Sequence, residues 1–121
     1  METSQVIDAL AALAQSSRLA IYRLLVERGP EGLPAGAIAE KLDLPAATLS
    51  FHLAHLSRAS LVQGRQDGRF VIYSANFQSM NALVGYLTEN CCVSGSCAPM
   101  PTKITLKGKG NETLPRPRRR A

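Results

Sequence analysis

The sequence predicts a mainly α-helical fold carrying one β-hairpin. Three observations carry that prediction. Apolar residues recur at helical spacing in several stretches before position 90, one stretch around Asp67-Gly68 alternates apolar and polar, and a short helix, a tight turn and a helix with one apolar row stand directly before it. The 121 residues leave room for one domain, and a domain this small buries only roughly 60% of the surface its unfolded chain exposes. A partner subunit would bury more.

Val6, Leu10 and Leu13, with alanines between them, mark a first helix that Thr3 or Ser4 is placed to cap. A second helix opens at Ser16-Ser17, carries Leu19, Ile21, Leu24 and Leu25, and stops at Gly29-Pro30. Residues 30–34 read as a loop. Ala35 to Leu42 makes a short third helix and Asp43-Leu44 turns. Pro45 suits the first position of a fourth helix, where its missing N–H costs nothing. That helix runs to about Ala59 with Leu49, Leu53 and Leu56 as its apolar row, and Leu61 and Val62 close beneath it. Asp67-Gly68 suits the type I′ turn of a two-stranded hairpin. Met80, Leu83, Val84 and Leu87 give a fifth helix ending near Asn90. The order is that of a winged helix-turn-helix: five helices with a two-stranded wing. After Cys97 apolar residues are too sparse for a core. The expected organisation is a folded domain over residues 1–92 and a flexible, basic, cysteine-containing tail over 93–121.

The net charge of +5 is misleading as a sign of nucleic-acid binding by the folded part. Through Asn90 there are seven basic against eight acidic residues, about −1, whereas from Cys91 onward seven basic residues face only Glu112, giving +6. The tail therefore holds the excess, as a solvated extension or as nonspecific phosphate contacts. No apolar run is long enough to span a bilayer, and METSQVIDAL lacks the order of a signal peptide, so a soluble cytoplasmic protein is expected. No CxxC follows a strand, and no phosphate-binding glycine loop or nucleophile–base pairing is visible, so neither an enzyme nor an organic cofactor is expected.

In a helix-turn-helix the second helix lies in the major groove with its N-terminal residues facing base edges. Counting away from the leucine row leaves Ala46, Ala47, Thr48, Ser50, Phe51, His52 and His55 facing outward or sideways. Thr48, Ser50 and His52 can hydrogen-bond bases or phosphates, and the alanines can meet thymine methyls. For His52 the alternative is a ring bonded to a backbone group. Arg65 and Arg69 flank the hairpin tip, where cations grip phosphates or enter the minor groove; the alternative is that they are solvated hairpin charges. A near-neutral domain with an apolar stripe on each terminal helix would expose both stripes unless they pair, and each fully buried Leu or Val is worth roughly 1.5–3 kcal/mol. This predicts a homodimer through the first and fifth helices; the alternative, both stripes folding into the monomer's own core, is weaker because the second and fourth helices already fill it. Its recognition helices would lie about 34 Å apart on double-stranded operator DNA with an inverted repeat.

Cys91, Cys92 and Cys97 crowd into seven positions, NCCVSGSC, after the fifth helix. In a reducing compartment this points to ligands or reactive thiols rather than a disulfide framework. Gly95 and two serines let the third sulfur fold back on the pair. A structural zinc site wants four ligands, commonly in two spaced pairs, which are absent. Trivalent arsenic or antimony takes three thiolates in a pyramid, and a methylated arsenical needs only the vicinal pair. The alternatives are a thiol redox switch, a sensor of cadmium, lead or zinc, and cysteines that merely pack as small hydrophobes.

Residues 10–90 resemble the ArsR/SmtB family of winged-helix metal-sensing repressors, through ALAQSSRLAIYRLL, TLSFHLAHLSRASLV and GRFVIYSAN. The resemblance implies that Ser50, His52 and their neighbours read DNA, that Arg65 and Arg69 contact its backbone, and that the first and fifth helices form a homodimer. The family's arsenic site before the recognition helix has no counterpart, since Pro34, Gly36 and Ala39 stand where cysteines would be, and its fifth-helix zinc site lacks the Asp and His ligands. The doublet plus one instead resembles a subgroup of arsenic repressors whose three cysteines follow the fifth helix. Ser60 stands where the family usually has glycine, and a left-handed cap costs serine energy that glycine avoids.

Overall fold

A computed structural model describes residues 1–92; residues 93–121, with Cys97 and the basic tail, lie outside the described part. The chain divides into two units, Met1–Thr88 and Glu89–Ala121. Among the described residues the regular structure is α1 (Thr3–Leu13), α2 (Ser16–Arg28), a 3-10 turn (Gly29–Glu31), β1 (Leu33–Pro34), α3 (Ala35–Leu42), α4 (Ala46–Arg58), β2 (Val62–Asp67), β3 (Phe70–Ala75) and α5 (Phe77–Thr88), all in the first unit. Five helices and the hairpin stand where the sequence placed them. Among the described residues no helix is long and apolar enough to cross a membrane.

The core is built around Ile21 and Leu25 of α2, Ile38 of α3, Leu49 and Leu56 of α4, and Leu61, all essentially without solvent contact. The helical spacing holds on α4; on α2 it holds for Ile21 and Leu25, while Leu19, expected with them, is 43% exposed and Tyr22 is buried in its stead. One hydroxyl in this core, that of Tyr22, has no hydrogen-bond partner, and burial pushes its pKa up.

The sheet has three strands in the order β1-β3-β2, all antiparallel, rather than the two expected. The extra strand is Leu33–Pro34, expected as loop; Leu33 pairs with Tyr73 and Pro34 with Ile72. Two residues carry no periodicity, so only the partner strand could define this one. Gly32 precedes it with φ +71, and a Cβ there would run into the Tyr73 carbonyl oxygen, so the close approach of the two backbones requires glycine. At the wing tip Asp67 pairs with Phe70, leaving Gly68-Arg69 as a two-residue turn. Only Gly68 has positive φ, the type II′ pattern and not the expected I′.

Helix ends differ from expectation by one residue in places. Glu2 caps α1, with its N–H donating to Gln5 Oε1 at 2.8 Å, in place of Thr3 or Ser4. Gln15 caps α2 by accepting from Arg18 N–H at 2.9 Å. Pro45 is itself the cap of α4, and its carbonyl accepts from Leu49 N–H at 2.9 Å.

The end of α4 bears out the concern about Ser60. Its φ is +64, the Ser60 N–H donates to the Ser57 carbonyl at 2.9 Å, and the Leu61 N–H donates to the Leu56 carbonyl at 3.0 Å. This is a Schellman cap with serine in the left-handed position. Asn76 Nδ2 donates to the Ser60 carbonyl at 3.1 Å and holds the turn in place. Because left-handed backbone costs a non-glycine residue about 1 kcal/mol, Ser60→Gly is expected to stabilise the fold by up to that amount. A rise in the urea midpoint at unchanged m-value checks this; a lower midpoint would mean that the serine side chain contributes more than the backbone strain costs.

Candidate functional site

The helix α4 is seated by Leu49, Leu53 and Leu56, and its opposite face is open. Ala46, Ala47, Thr48, Ser50 and Phe51 are all exposed, Phe51 by 60%. His55 is half-buried, and the Phe51 ring stands edge-on to those of His52 and His55 at 5.6 and 6.5 Å between centroids. These residues form one convex surface on a single helix, the shape that enters a major groove.

His52 is the exception. It is only 8% exposed, so it does not face outward as the leucine row suggested. Positions 49, 52, 53 and 56 together are the i, i+3, i+4, i+7 stripe of a buried helical face, and a count based on the three leucines alone left the histidine outside it. Its Nδ1 lies 3.4 Å from Arg18 Nη1, while Arg18 Nε donates to the Ala12 carbonyl at 2.6 Å. A guanidinium only donates, so Nδ1 accepts, and the ring is held neutral with its proton on Nε2. Arg18 thus ties the end of α1 and the middle of α4 to α2. Burial is the largest cause lowering the His52 pKa, followed by the charges of Arg18 and His55.

A lowered pKa makes the native chain refuse a proton that the unfolded chain accepts. The resulting stability is present above the ordinary value of 6.5 and is lost as pH falls from there toward the folded value. Urea midpoints measured between about pH 7.5 and 5.5 are expected to fall in the native protein and to fall less in His52→Gln; equal slopes would show that the ring titrates as it does in the unfolded chain.

On the wing, the Arg65 guanidinium donates to the carbonyls of Glu31 at 3.1 Å and Pro30 at 3.5 Å. It fastens the hairpin to the 3-10 turn after α2, a structural contact that sequence inspection did not find. Arg69 occupies the tip turn, exposed, with no protein partner among the described residues. Gln66 Nε2 donates to the Gly68 carbonyl at 3.0 Å and stiffens that turn. Phe70, beside Arg69, is 60% exposed, and Val71 is exposed as well. Sequence reasoning passed over both; their position next to a two-residue turn, past the edge of the core, was the available signal.

The two terminal helices split their apolar residues. Val6 and Leu83, expected at the surface stripe, are buried in the core, and Leu13 and Met80 pack against it. Ile7 and Leu10 on α1 and Val84 and Leu87 on α5 remain exposed. The helices touch, with a hydrogen bond between Thr3 Oγ1 and the Tyr86 hydroxyl at 2.8 Å.

In the second unit, Cys91 is exposed, Cys92 is half-buried, and their Sγ atoms are 3.0 Å apart; Cys92 takes part in a disulfide, where ligands or reactive thiols were expected. Asn90 and Cys92 both take left-handed backbone, φ +62 and +64, so the chain turns sharply at the doublet. Among the described residues no group of three or more His, Cys, Asp or Glu side chains is placed to hold a metal ion. Cys97, the third expected ligand, is outside them.

A helix-turn-helix domain family matches residues 13–65. The nodulation protein NolR of Rhizobium meliloti is 34% identical over 80 residues, 66% of this chain, which spans a little under two thirds (63%) of NolR. The transcriptional activator HlyU of Vibrio cholerae is 31% identical over 69% of this chain and 74% of its own length. Among solved structures, an ArsR-like transcriptional regulator from Rhodococcus sp. RHA1 has 25% identity and a TM-score of 0.62, over 69% of this chain and 76% of its own. The homodimeric winged helix-turn-helix domain Mb0332 from Mycobacterium bovis, a possible ArsR-family regulator, has 28% identity and a TM-score of 0.57, over 72% and 81%.

If Arg69 grips a phosphate, Arg69→Gln lowers the slope of log affinity against log salt by about 0.9 for each contact removed. Anisotropy titrations of labelled duplex DNA at several salt concentrations measure this, and an unchanged slope takes Arg69 out of the interface.

Proposed function

The chain belongs to the ArsR/SmtB family of winged-helix DNA-binding transcriptional regulators and is not an enzyme, and from that premise we propose that it is a cytoplasmic, homodimeric repressor that releases its operator when trivalent arsenic or antimony binds Cys91, Cys92 and Cys97. The observation that carries the sensing part is the pair of sulfurs 3.0 Å apart at the doublet. Once thiol has reduced the disulfide in which Cys92 takes part, both sulfurs can reach one soft ion at a metal–sulfur distance of roughly 2.3 Å, and Cys97 follows after only four residues. The bound metalloid supplies three sulfur bonds that tie the tail to the doublet.

The DNA reading rests on the exposed row Ala46, Ala47, Thr48, Ser50 and Phe51, with His55 at its edge and Arg69 on the wing. His52 acts here from beneath, by holding α4 against Arg18, in place of reading a base. Arg65 acts by setting the angle of the wing. The dimer reading rests on the exposed Ile7, Leu10, Val84 and Leu87 and on the homodimeric state of Mb0332. Two recognition helices related by a two-fold axis call for an inverted-repeat operator with half-sites about one helical turn apart.

A thiol redox switch is the second reading, favoured by the disulfide in which Cys92 takes part. Both readings use the same sulfurs, and they part on what weakens the complex.

A coupling of about 1–3 kcal/mol between inducer and operator corresponds to 5- to 150-fold weaker binding. Reduced protein is expected to lose operator affinity by a factor in that range on titration with arsenite, and Cys91→Ser and Cys92→Ser to abolish the response. Cys97→Ser separates arsenite, which needs three sulfurs, from methylated trivalent arsenicals, which need the vicinal pair. Affinity that stays constant with arsenite and antimonite but falls with hydrogen peroxide, and recovers with thiol, would replace the metalloid reading by the redox one.

A further inference from the structure

A polar groove lies between α1, the end of α4 and the start of α5, and meets the DNA-reading row only at its edge, at His55. It has two lobes, of about 450 and 220 Å3, that share Asp8, Arg58 and Ala59 as a common wall. The larger lobe also presents Gln5, Asn76 and Ser79, and the smaller reaches His55 on the recognition helix. Asn76 is fixed there: its Nδ2 donates to the Ser60 carbonyl at 3.1 Å and its Oδ1 accepts from the Ser79 N–H at 3.2 Å.

Asp8 and Arg58 line both lobes, from α1 and α4, yet no ion pair joins them. Among the described residues the one salt bridge is Arg28 with Glu31, at 3.7 Å. Opposite charges that face one cavity without meeting leave room between them for a molecule carrying both signs. A simple anion would be repelled by Asp8 and a simple cation by Arg58, while an apolar occupant would take water from two charges and return nothing. The larger lobe falls within the roughly 300–1,000 Å3 of small-molecule sites.

We propose that this groove is an effector site for a small zwitterion, a free amino acid, whose carboxylate is held by Arg58 and whose ammonium is held by Asp8, with the amide of Gln5 and the hydroxyl of Ser79 contacting its side chain. Arg58 lies in the last turn of α4, so an occupant that engages it acts on the recognition helix from the end opposite the base-reading row. Operator and amino acid then change each other's affinity by the same factor, as linkage requires. The proposal uses no cysteine and stands or falls without them.

The test is a thermal-shift and calorimetric screen of the reduced full-length protein against each of the twenty proteinogenic amino acids, with acetate and methylamine as single-charge controls. At least one amino acid is expected to raise the melting temperature saturably, with both controls far weaker. Asp8→Asn and Arg58→Gln are each expected to weaken that binding about tenfold or more, and Cys92→Ser to leave it unchanged. Should Arg58→Gln fold poorly, Asp8→Asn, an isosteric change at an exposed position, carries the test alone. Absence of any response across the panel, or a response that both charge variants retain in full, overturns the proposal.

Discussion

The stripe Leu49, His52, Leu53, Leu56 on α4 governs the rest of the molecule. Three leucines and a neutral imidazole seat the helix against α2 and α3, and once that face is fixed the 3.6-residue repeat decides which residues remain outside: Ala46, Ala47, Thr48, Ser50 and Phe51. The reading surface is thus a by-product of the buried one. It also explains why a polar residue lies in the stripe. Arg18 meets His52 from α2 and the Ala12 carbonyl from α1, so one guanidinium fixes the rotation of the recognition helix relative to two neighbours, a directional constraint that leucine contacts cannot impose.

Backbone strain in the chain is placed unevenly. Among the described residues, Asp43 between α3 and α4, Ser60 after α4, and Asn90 and Cys92 after α5 are the non-glycine residues with positive φ. Two of these bracket the recognition helix and two bracket the first cysteine of the doublet. Such conformations persist only where the surroundings hold them, and at Asp43 and Ser60 the means is visible in paired backbone hydrogen bonds that close each helix end. The same arrangement shortens the helix-turn-helix turn to three residues, which sets the angle between α3 and α4.

Most of the fold was legible because its elements are longer than one period of their own pattern. The limits of α3, the start of α2, the row on α4 and the fifth helix all follow from spacing and from Gly and Pro punctuation. What stayed hidden was non-local or shorter than a period. A two-residue strand exists only through Tyr73 and Ile72, forty residues along the chain. Arg65 reads as a wing cation until its carbonyl partners on the 3-10 turn come into view. The terminal-helix stripes looked like single surfaces, yet each is divided, Val6 and Leu83 inward, Ile7, Leu10, Val84 and Leu87 outward, because a helix against a small core buries a narrower sector than its apolar residues cover. At the cysteines the sequence indicates the chemistry, and the described residues add the proximity of two of the three sulfurs.

The anchoring of the wing has a consequence for how such a module can be altered. The hairpin is fastened midway along β3 by β1 and, at the same level on β2, by Arg65, so Arg69 and Phe70 ride on a stiff cantilever whose mounting is the segment Gly29–Pro34. The aim of the tip is therefore encoded some forty residues before the tip itself. Grafting residues 62–75 onto another scaffold would transplant the cation and the ring but not their bearing, whereas a change at Gly32 would turn both without touching either.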